Sequence, residues 1–128
     1  MAEIDIGRDF SENPAGRFRS DRSKSGEEFR EDVLLPAFRS LAQDEALTLI
    51  LDNGPESYGS SFLTEGFAGV VKYGYFPVSS FLPRLRFRYT NPDFAFFENK
   101  IRKYCQEAVF ASQVYVPTSA APRAGLGA

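Results

Sequence analysis

The sequence predicts an α/β fold in which helices pack on a small mixed β-sheet in the order β-β-α-β-α-β-α. The near-continuous apolar run Ala46–Leu51 is typical of a central strand that is covered on both faces. The run Arg84–Tyr89 alternates strictly, which indicates a strand with one basic and one apolar face. Helical periodicity precedes and follows each of these runs, and a β-α-β-α-β order requires parallel strands with right-handed crossovers.

The first elements lie before residue 25. Glu3–Ile6 alternates polar and apolar residues, which predicts a short first strand. Asn13–Gly16 has the composition of a turn. Arg17–Ser20 is therefore predicted to be the return strand of a hairpin.

A capping box opens the first long helix. Ser25 and Glu28 have the spacing at which each side chain bonds the other residue's backbone N–H. Pro36 cannot donate to the carbonyl of Asp32, so a kink or a break into two pieces is expected there. The apolar stripe of this helix repeats every 3.6 residues, as on a helix with one buried face. It comprises Phe29, Val33, Ala37 and Leu41, with Leu34 and Phe38 beside them.

The second helix is predicted to open on Ser60 and Ser61 and to end near Gly74. Gly66 and Gly69 lie within it, and a glycine inside a helix costs about 1 kcal/mol relative to alanine. Close packing of this helix on the sheet is the expected compensation.

The third helix begins at a clear start signal. Asn91 is a good N-cap, and Pro92 suits the first helical position. From about Gln113 onward the sequence has no sustained period, which indicates a flexible segment. We therefore predict one domain over residues 1–112 and a flexible C-terminal tail over residues 113–128.

Composition restricts the class of partner. A hydrophobic fraction of 43% with 25% charged residues is ordinary for a globular protein. The net charge of −2 argues against binding to nucleic acid, which needs a basic surface. No apolar run approaches the roughly 20 residues that span a bilayer, and the N-terminus does not resemble a signal peptide. We expect a cytoplasmic protein that binds neither nucleic acid nor membranes.

Several residue types that hydrolytic enzymes use are missing. The chain has no histidine, so a histidine base, nucleophile partner or metal ligand is excluded. The single cysteine, Cys105, excludes an internal disulfide and a multi-cysteine zinc site. We predict a protein that is not an enzyme and needs no cofactor or metal. A carboxylate pair, Asp52 with Glu56 or Glu65, is the arrangement that remains for acid–base or metal chemistry.

The junction between the central strand and the second helix carries the candidate site. The strand closes at Asp52, and a polar loop leads to Ser60 and Ser61. Ligands of α/β folds bind at the carboxyl ends of parallel strands, and a helix N-terminus favours negative charge. Each serine is either a helix cap, which contributes about 0.5–2 kcal/mol relative to alanine, or a regulatory hydroxyl. Asp52 is expected to orient the loop by accepting backbone N–H groups.

A second candidate is a row of arginines on the strand that follows. Arg84, Arg86 and Arg88 are predicted to share one face. Such a row is either a solvated face balanced by nearby acids or a site for an anion or a partner.

Four parts of the chain together resemble a bacterial STAS-like family of unknown function and, more distantly, the STAS domains of anti-sigma-factor antagonists. They are Ile4–Ile6 with Pro14–Arg17, Ser25–Glu31 with Leu35 and Pro36, Leu49–Asp52, and Tyr58–Gly69. The last is the most specific, because glycines, serines and aromatic residues recur in it at fixed offsets. The resemblance covers residues 3 to about 110 and implies a small mixed sheet packed by helices.

The same resemblance implies a site. In anti-sigma-factor antagonists this loop carries Asp-Ser-Ser-Gly, and its second serine is the phosphorylation target. Ser61 falls at the target position and Ser60 at the serine before it. Gly59 stands where those proteins have aspartate, and Phe62 where they have glycine. Tyr58 begins the matching loop.

These observations leave three functions. The leading hypothesis is a non-catalytic bacterial signalling module that binds a protein partner through Tyr58–Phe62 and is switched by serine phosphorylation. The resemblance implies an ATP-binding switch protein or a serine kinase as that partner. The alternative is a small-ligand or nucleotide-binding domain that uses the helix N-terminus at Ser60 and Ser61. An enzyme built on a carboxylate pair comes third.

Overall fold

The computed structural model of the chain describes residues 2–119 and contains a three-stranded, fully parallel sheet with Leu47–Ile50 as its central strand. Its strands are β1 (Ala2–Asp5), β2 (Leu47–Ile50) and β3 (Leu85–Arg88). The predicted α/β class and the central position of the strand near residues 46–51 are therefore confirmed.

The predicted hairpin is wrong, and the sheet is parallel, not mixed, within the described residues. Arg17–Ser20 forms no strand. The carbonyls of Gly16 and Arg17 instead accept the backbone N–H groups of Gly26 and Glu27, both at 2.9 Å. These two N–H groups belong to the first turn of a helix, where they have no partner inside the helix. The loop carbonyls satisfy them and so are not available for a β-ladder.

The two faces of the sheet differ in polarity, as predicted for the strand at residues 84–89. Leu47, Leu49 and Leu85 are buried on the face that meets the helices. Arg86 and Arg88, which alternate with Leu85 and Phe87 along β3, are exposed on the other face. One sheet face is therefore at least partly open to solvent.

The first long helix spans residues 26–39 without a gap. It consists of an α-helical turn (Gly26–Phe29), a π-helical segment (Arg30–Leu34) and a second α-helical piece (Leu35–Arg39). We call it the first composite helix. The π-helical segment ends at Leu34, two residues before Pro36, so the predicted interruption takes this form and not that of a break.

The predicted capping box is half correct. Ser25 is the N-cap, and its hydroxyl accepts the N–H of Glu28 at 3.3 Å. The Glu28 carboxylate accepts the N–H of Lys24, one residue before the predicted Ser25.

The second long helix has the same build over residues 60–72. It joins Ser60–Leu63, the π-helical Thr64–Ala68, and Gly69–Lys72, and we call it the second composite helix. A Cβ atom on Gly69 would lie 2.6 Å from the Arg30 guanidinium, and one on Gly26 would lie 2.7 Å from the carbonyl of Phe62. The glycines therefore allow the two composite helices to approach each other. This corrects the expectation that Gly66 and Gly69 serve packing on the sheet.

The remaining helices are short except for the last. The connector between residues 77 and 83 contains a helical turn, Val78–Phe81, which continues as the 3-10 helix Leu82–Arg84. A further turn, Ile6–Asp9, follows β1. The predicted start at Asn91 is confirmed: its side chain accepts the N–H of Asp93, and Pro92–Phe94 leads into the helix Ala95–Glu107.

Residues 109–119, which we call the strap, have no regular secondary structure but lie against the composite helices. The N–H groups of Ala111 and Gln113 donate to the carbonyls of Val71 and Lys72, at 3.0 and 3.2 Å. Thr118 bonds Glu27 of the first composite helix. The predicted tail thus includes residues with defined contacts, and its remainder from residue 120 lies outside the described residues.

Candidate functional site

The loops that follow the three strands meet at the carboxyl edge of the sheet. Asp5, at the end of β1, accepts a hydrogen bond from the Asn53 side chain at 2.6 Å. Asp52, just after β2, accepts the N–H groups of Thr90 and Asn91, both at 2.8 Å. Hydrogen bonds therefore join the loop after β2 to the end of β1 and to the loop after β3.

Asp52 accepts backbone N–H groups as predicted, but those of the loop after β3 and not those of its own loop. The Thr90 hydroxyl adds a third bond at 3.0 Å. Desolvation acts to raise the pKa of Asp52, but the hydrogen bonds from Asn91 and Thr90 outweigh it. The pKa of this carboxyl therefore lies below that of an ordinary aspartate.

The predicted binding loop has buried ends and an exposed centre. Tyr58 is buried, and its hydroxyl donates to the carbonyl of Leu51 at 2.6 Å. Phe62 is fully buried, and its ring centroid lies 5.9 Å from that of Tyr58. Gly59 and Ser60 are exposed, and Ser61 is half-buried. Both rings are thus packed in the core: Phe62 has no exposed surface for a partner, and Tyr58 is 6% exposed.

Neither serine caps the helix that it opens. The N-cap residue is Gly59, and no side chain bonds the first turn within the described residues. Ser60 and Ser61 are the first and second helical residues, one step beyond the position where a hydroxyl folds back onto the helix N–H groups. The capping interpretation of these serines is therefore wrong, and Ser61 lies two residues after the N-cap.

The three arginines near β3 do not form a joint site. Arg84 lies before the strand and donates to the carbonyls of Ala42 and Glu45. Arg86 donates to carbonyls of its own segment. Arg88 pairs with Glu3 of β1. Each guanidinium is thus bonded separately.

The largest feature that the sequence analysis missed is an ion pair between the composite helices. Arg30 and Glu65 have no exposed side-chain surface, and Arg30 Nη1 lies 2.8 Å from Glu65 Oε2. Tyr73 donates to the same oxygen at 2.7 Å. The ring centroids of Tyr73 and Tyr115 each lie 4.7 Å from the Arg30 guanidinium carbon. A signal was present in the sequence, because Arg30 stands in line with Leu34 and Phe38 at helical spacing.

The strap closes over this pair through a second buried carboxylate. Glu27 accepts hydrogen bonds from the Tyr115 hydroxyl at 2.6 Å and from the N–H groups of Thr118 and Arg19, both at 2.9 Å. Desolvation acts to raise the pKa of Glu27, yet the bonds from Thr118, Tyr115 and Arg19 outweigh it and lower the pKa to about 2. Glu27 is therefore an ionised anchor for the strap at neutral pH.

The remaining sequence candidates do not form a joint site. Cys105 is buried on the last helix, and desolvation raises the pKa of its thiol to about 12. Glu65 is paired with Arg30 between the composite helices, whereas Glu56 is exposed on the loop after β2.

Within residues 2–119, no group of three or more His, Cys, Asp or Glu side chains is arranged to hold a metal ion. No helix in this range has both the length and the apolar character needed to cross a bilayer.

Comparison with known proteins finds no matching family model, no matching curated protein and no matching solved structure. The resemblance to STAS domains therefore stays a prediction that rests on the sequence motifs.

Proposed function

We propose that this protein is a non-catalytic bacterial regulatory module that binds a protein partner at the surface formed by Gly59, Ser60 and Ser61. The observation that carries the proposal is the way the loop is held: Tyr58 and Phe62 fix its two ends in the core and leave the residues between them at the surface. A surface that is fixed before binding loses little conformational freedom when a partner docks.

An exposed aromatic ring beside this surface supports the same proposal. Phe96 of the last helix is 59% exposed. Together with Ser60 and Lys100 it lines a cleft of about 180 Å³. Aromatic side chains are frequent anchors in protein interfaces. We therefore expect the partner to contact the loop and the last helix together.

Serine phosphorylation is the proposed switch, and Ser61 is the proposed target. A phosphate adds about −1.5 to −2 charges at neutral pH. The first turn of a helix tolerates negative charge because of its orphan N–H groups. The fold should therefore survive while the charge of the contact surface changes. The resemblance to anti-sigma-factor antagonists supports an ATP-binding switch protein or a serine kinase as the partner.

The test captures the partner from a lysate of the native cells and then measures its affinity for purified variants. Ser61→Ala and Ser61→Asp are compared with the parent and with Ser79→Asp, which changes an exposed serine on another helix. All four should unfold at similar urea concentrations. Ser61→Asp should weaken binding at least tenfold, about 1.4 kcal/mol, and Ser79→Asp should not. If both Ser61 variants bind like the parent, the switch proposal fails.

One observation favours the alternative, a small-ligand or nucleotide-binding domain. No side chain in the described part of the chain caps the turn at Ser60 and Ser61, so its N–H groups can bond oxygens of a ligand. Isothermal titration with ATP and GTP tests this alternative. Nucleotide binding that Ser61→Asp abolishes would favour it over the partner proposal.

A further inference from the structure

A polar cleft of about 600 Å³ lies beside the carboxyl ends of β1 and β2, and its lining includes none of the residues Gly59–Ser61. One wall comes from the long loop after β1, and the other from the loop after β2. Small-molecule sites have volumes of this size, and in α/β folds they form at this edge of the sheet. The lining residues are Glu12, Asn13, Pro14, Ala15 and Arg22 on the first wall and Gly54, Glu56 and Ser57 on the second.

Two glycines shape the backbone around the charged residues of this cleft. Gly54 has φ +116°, and a Cβ atom there would lie 2.7 Å from Cγ of Glu12. Gly16 has φ +87°, and a Cβ atom there would lie 2.8 Å from Cγ of Arg22. Both conformations are ones that other residues rarely adopt. The chain thus uses glycine at the two positions against which Glu12 and Arg22 pack.

Hydrogen bonds hold the walls in place. Within the long loop, the N–H of Ala15 donates to the carbonyl of Lys24 at 3.1 Å. The carbonyl of Gly16 is bonded to the first composite helix, as described above. The second wall is tied to β1 by the bond from Asn53 to Asp5. The cleft therefore lies between two braced loops.

The charges in the cleft have no partners in the chain that the structure describes. Arg22 is the single arginine in residues 2–119 whose guanidinium has no hydrogen bond, ion pair or aromatic ring contact with another described residue. The side chains of Glu12 and Glu56 likewise make no hydrogen bond or ion pair with described residues. The partners of the other nine arginines appear among the hydrogen bonds, ion pairs and ring contacts.

We propose that this cleft binds a small zwitterion of the amino-acid type. Arg22 would hold the carboxylate, since a guanidinium pairs with a carboxylate through two parallel bonds. Glu12 and Glu56 would hold ammonium groups. One cation and two carboxylates give the cleft a formal charge of −1, which disfavours a phosphate or a nucleotide and favours a ligand with more amines than acids. L-Lysine and L-arginine have this charge pattern.

The first experiment titrates the full chain with each of the twenty standard amino acids, up to about 10 mM, and follows backbone amide NMR signals. This concentration is tenfold above a Kd of about 1 mM, which is weak for a specific ligand. Basic amino acids should shift the amide signals of residues 12–16 and 54–57. Cadaverine, which is lysine without its carboxylate, and hexanoate, which lacks amines, should bind at least tenfold more weakly than L-lysine.

Variants then assign the contacts. Arg22→Gln and Glu12→Gln should each weaken binding at least tenfold, while Arg39→Gln, which changes an exposed arginine elsewhere, should leave it unchanged. Because Glu12 and Arg22 are exposed, all three variants should keep the urea midpoint of the parent. The proposal is overturned if no amino acid binds, if hexanoate or cadaverine binds as well as L-lysine, or if Arg22→Gln binds like the parent. None of these outcomes bears on partner binding at Ser61, which is measured separately.

Discussion

Replacing Glu65 with glutamine tests the ion pair that joins the two composite helices. The substitution keeps the size of the side chain and removes its charge. Arg30 Nη1 and Glu65 Oε2 lie 2.8 Å apart, and neither side chain has exposed surface. The variant therefore leaves a buried guanidinium without its buried counter-charge.

The expected loss follows from this burial. Removing one partner of a buried pair costs about 3–5 kcal/mol of the free energy of unfolding. Glu31 still bonds Nε of Arg30 at 2.7 Å in the variant, so we expect the lower end of this range, about 3 kcal/mol. A domain of this kind has a total stability of about 5–15 kcal/mol, so the effect would be large.

Urea unfolding measures the loss, and because the chain contains no tryptophan it is followed by far-UV circular dichroism. Glu3→Gln is the matched control, since Glu3 pairs with Arg88 on the exposed sheet face, where such a pair is worth about 0–1 kcal/mol. The double variant Arg30→Met with Glu65→Leu removes both charges and should recover much of the lost stability. A loss below about 1 kcal/mol in Glu65→Gln, or a double variant no more stable than the single one, would refute the reasoning.

Three further predictions concern single side chains. Ser25→Ala should lower the free energy of unfolding by about 1 kcal/mol because it removes a helix cap. Ser60→Ala removes no cap and should change this free energy by less than about 0.5 kcal/mol. Urea unfolding of both variants measures the difference. Because the pKa of Glu27 is lowered to about 2, its contribution to stability is complete above the unfolded pKa of about 4.3 and is lost as the pH falls towards about 2. The parent should therefore lose more stability than Glu27→Gln across that pH range, and equal losses would contradict this. The Cys105 thiol is buried, and its pKa is raised to about 12. It should therefore react with a thiol reagent at about pH 8 only as fast as the protein unfolds. Faster labelling of the native protein would contradict its burial.

The sequence by itself determined the elements that depend on near neighbours. The β2 and β3 strands, the cap at Ser25 and the start at Asn91 all follow from patterns of a few residues. The burial alternation along β3 follows too, because successive side chains of a strand point to opposite faces. These features can be predicted without knowing which residues pack against them.

The same local reasoning failed where a distant group competes for the backbone. The sequence pattern predicts a strand at Arg17–Ser20. In the structure, the carbonyls of residues 16 and 17 instead accept backbone N–H groups from the start of the first composite helix. The sequence pattern predicts Ser60 and Ser61 as caps, but the N-cap position falls one residue earlier, on Gly59, which lies between the core residues Tyr58 and Phe62. Local sequence patterns indicate which structures a segment can adopt, and tertiary contacts decide which of them forms.

Only the tertiary structure decided which charged groups are buried and which line a cleft. The partners Arg30 and Glu65 are 35 residues apart in sequence, and Glu27 and Tyr115 are 88 apart. In the cleft, Glu12 and Glu56 come from loops after different strands. Whether two charged side chains pair depends on their distance in the folded structure. A periodic sequence pattern indicates only on which face of its own helix or strand a residue lies. The sequence therefore indicated the edge of the sheet at which α/β folds commonly bind ligands, while the fold determined which side chains meet there.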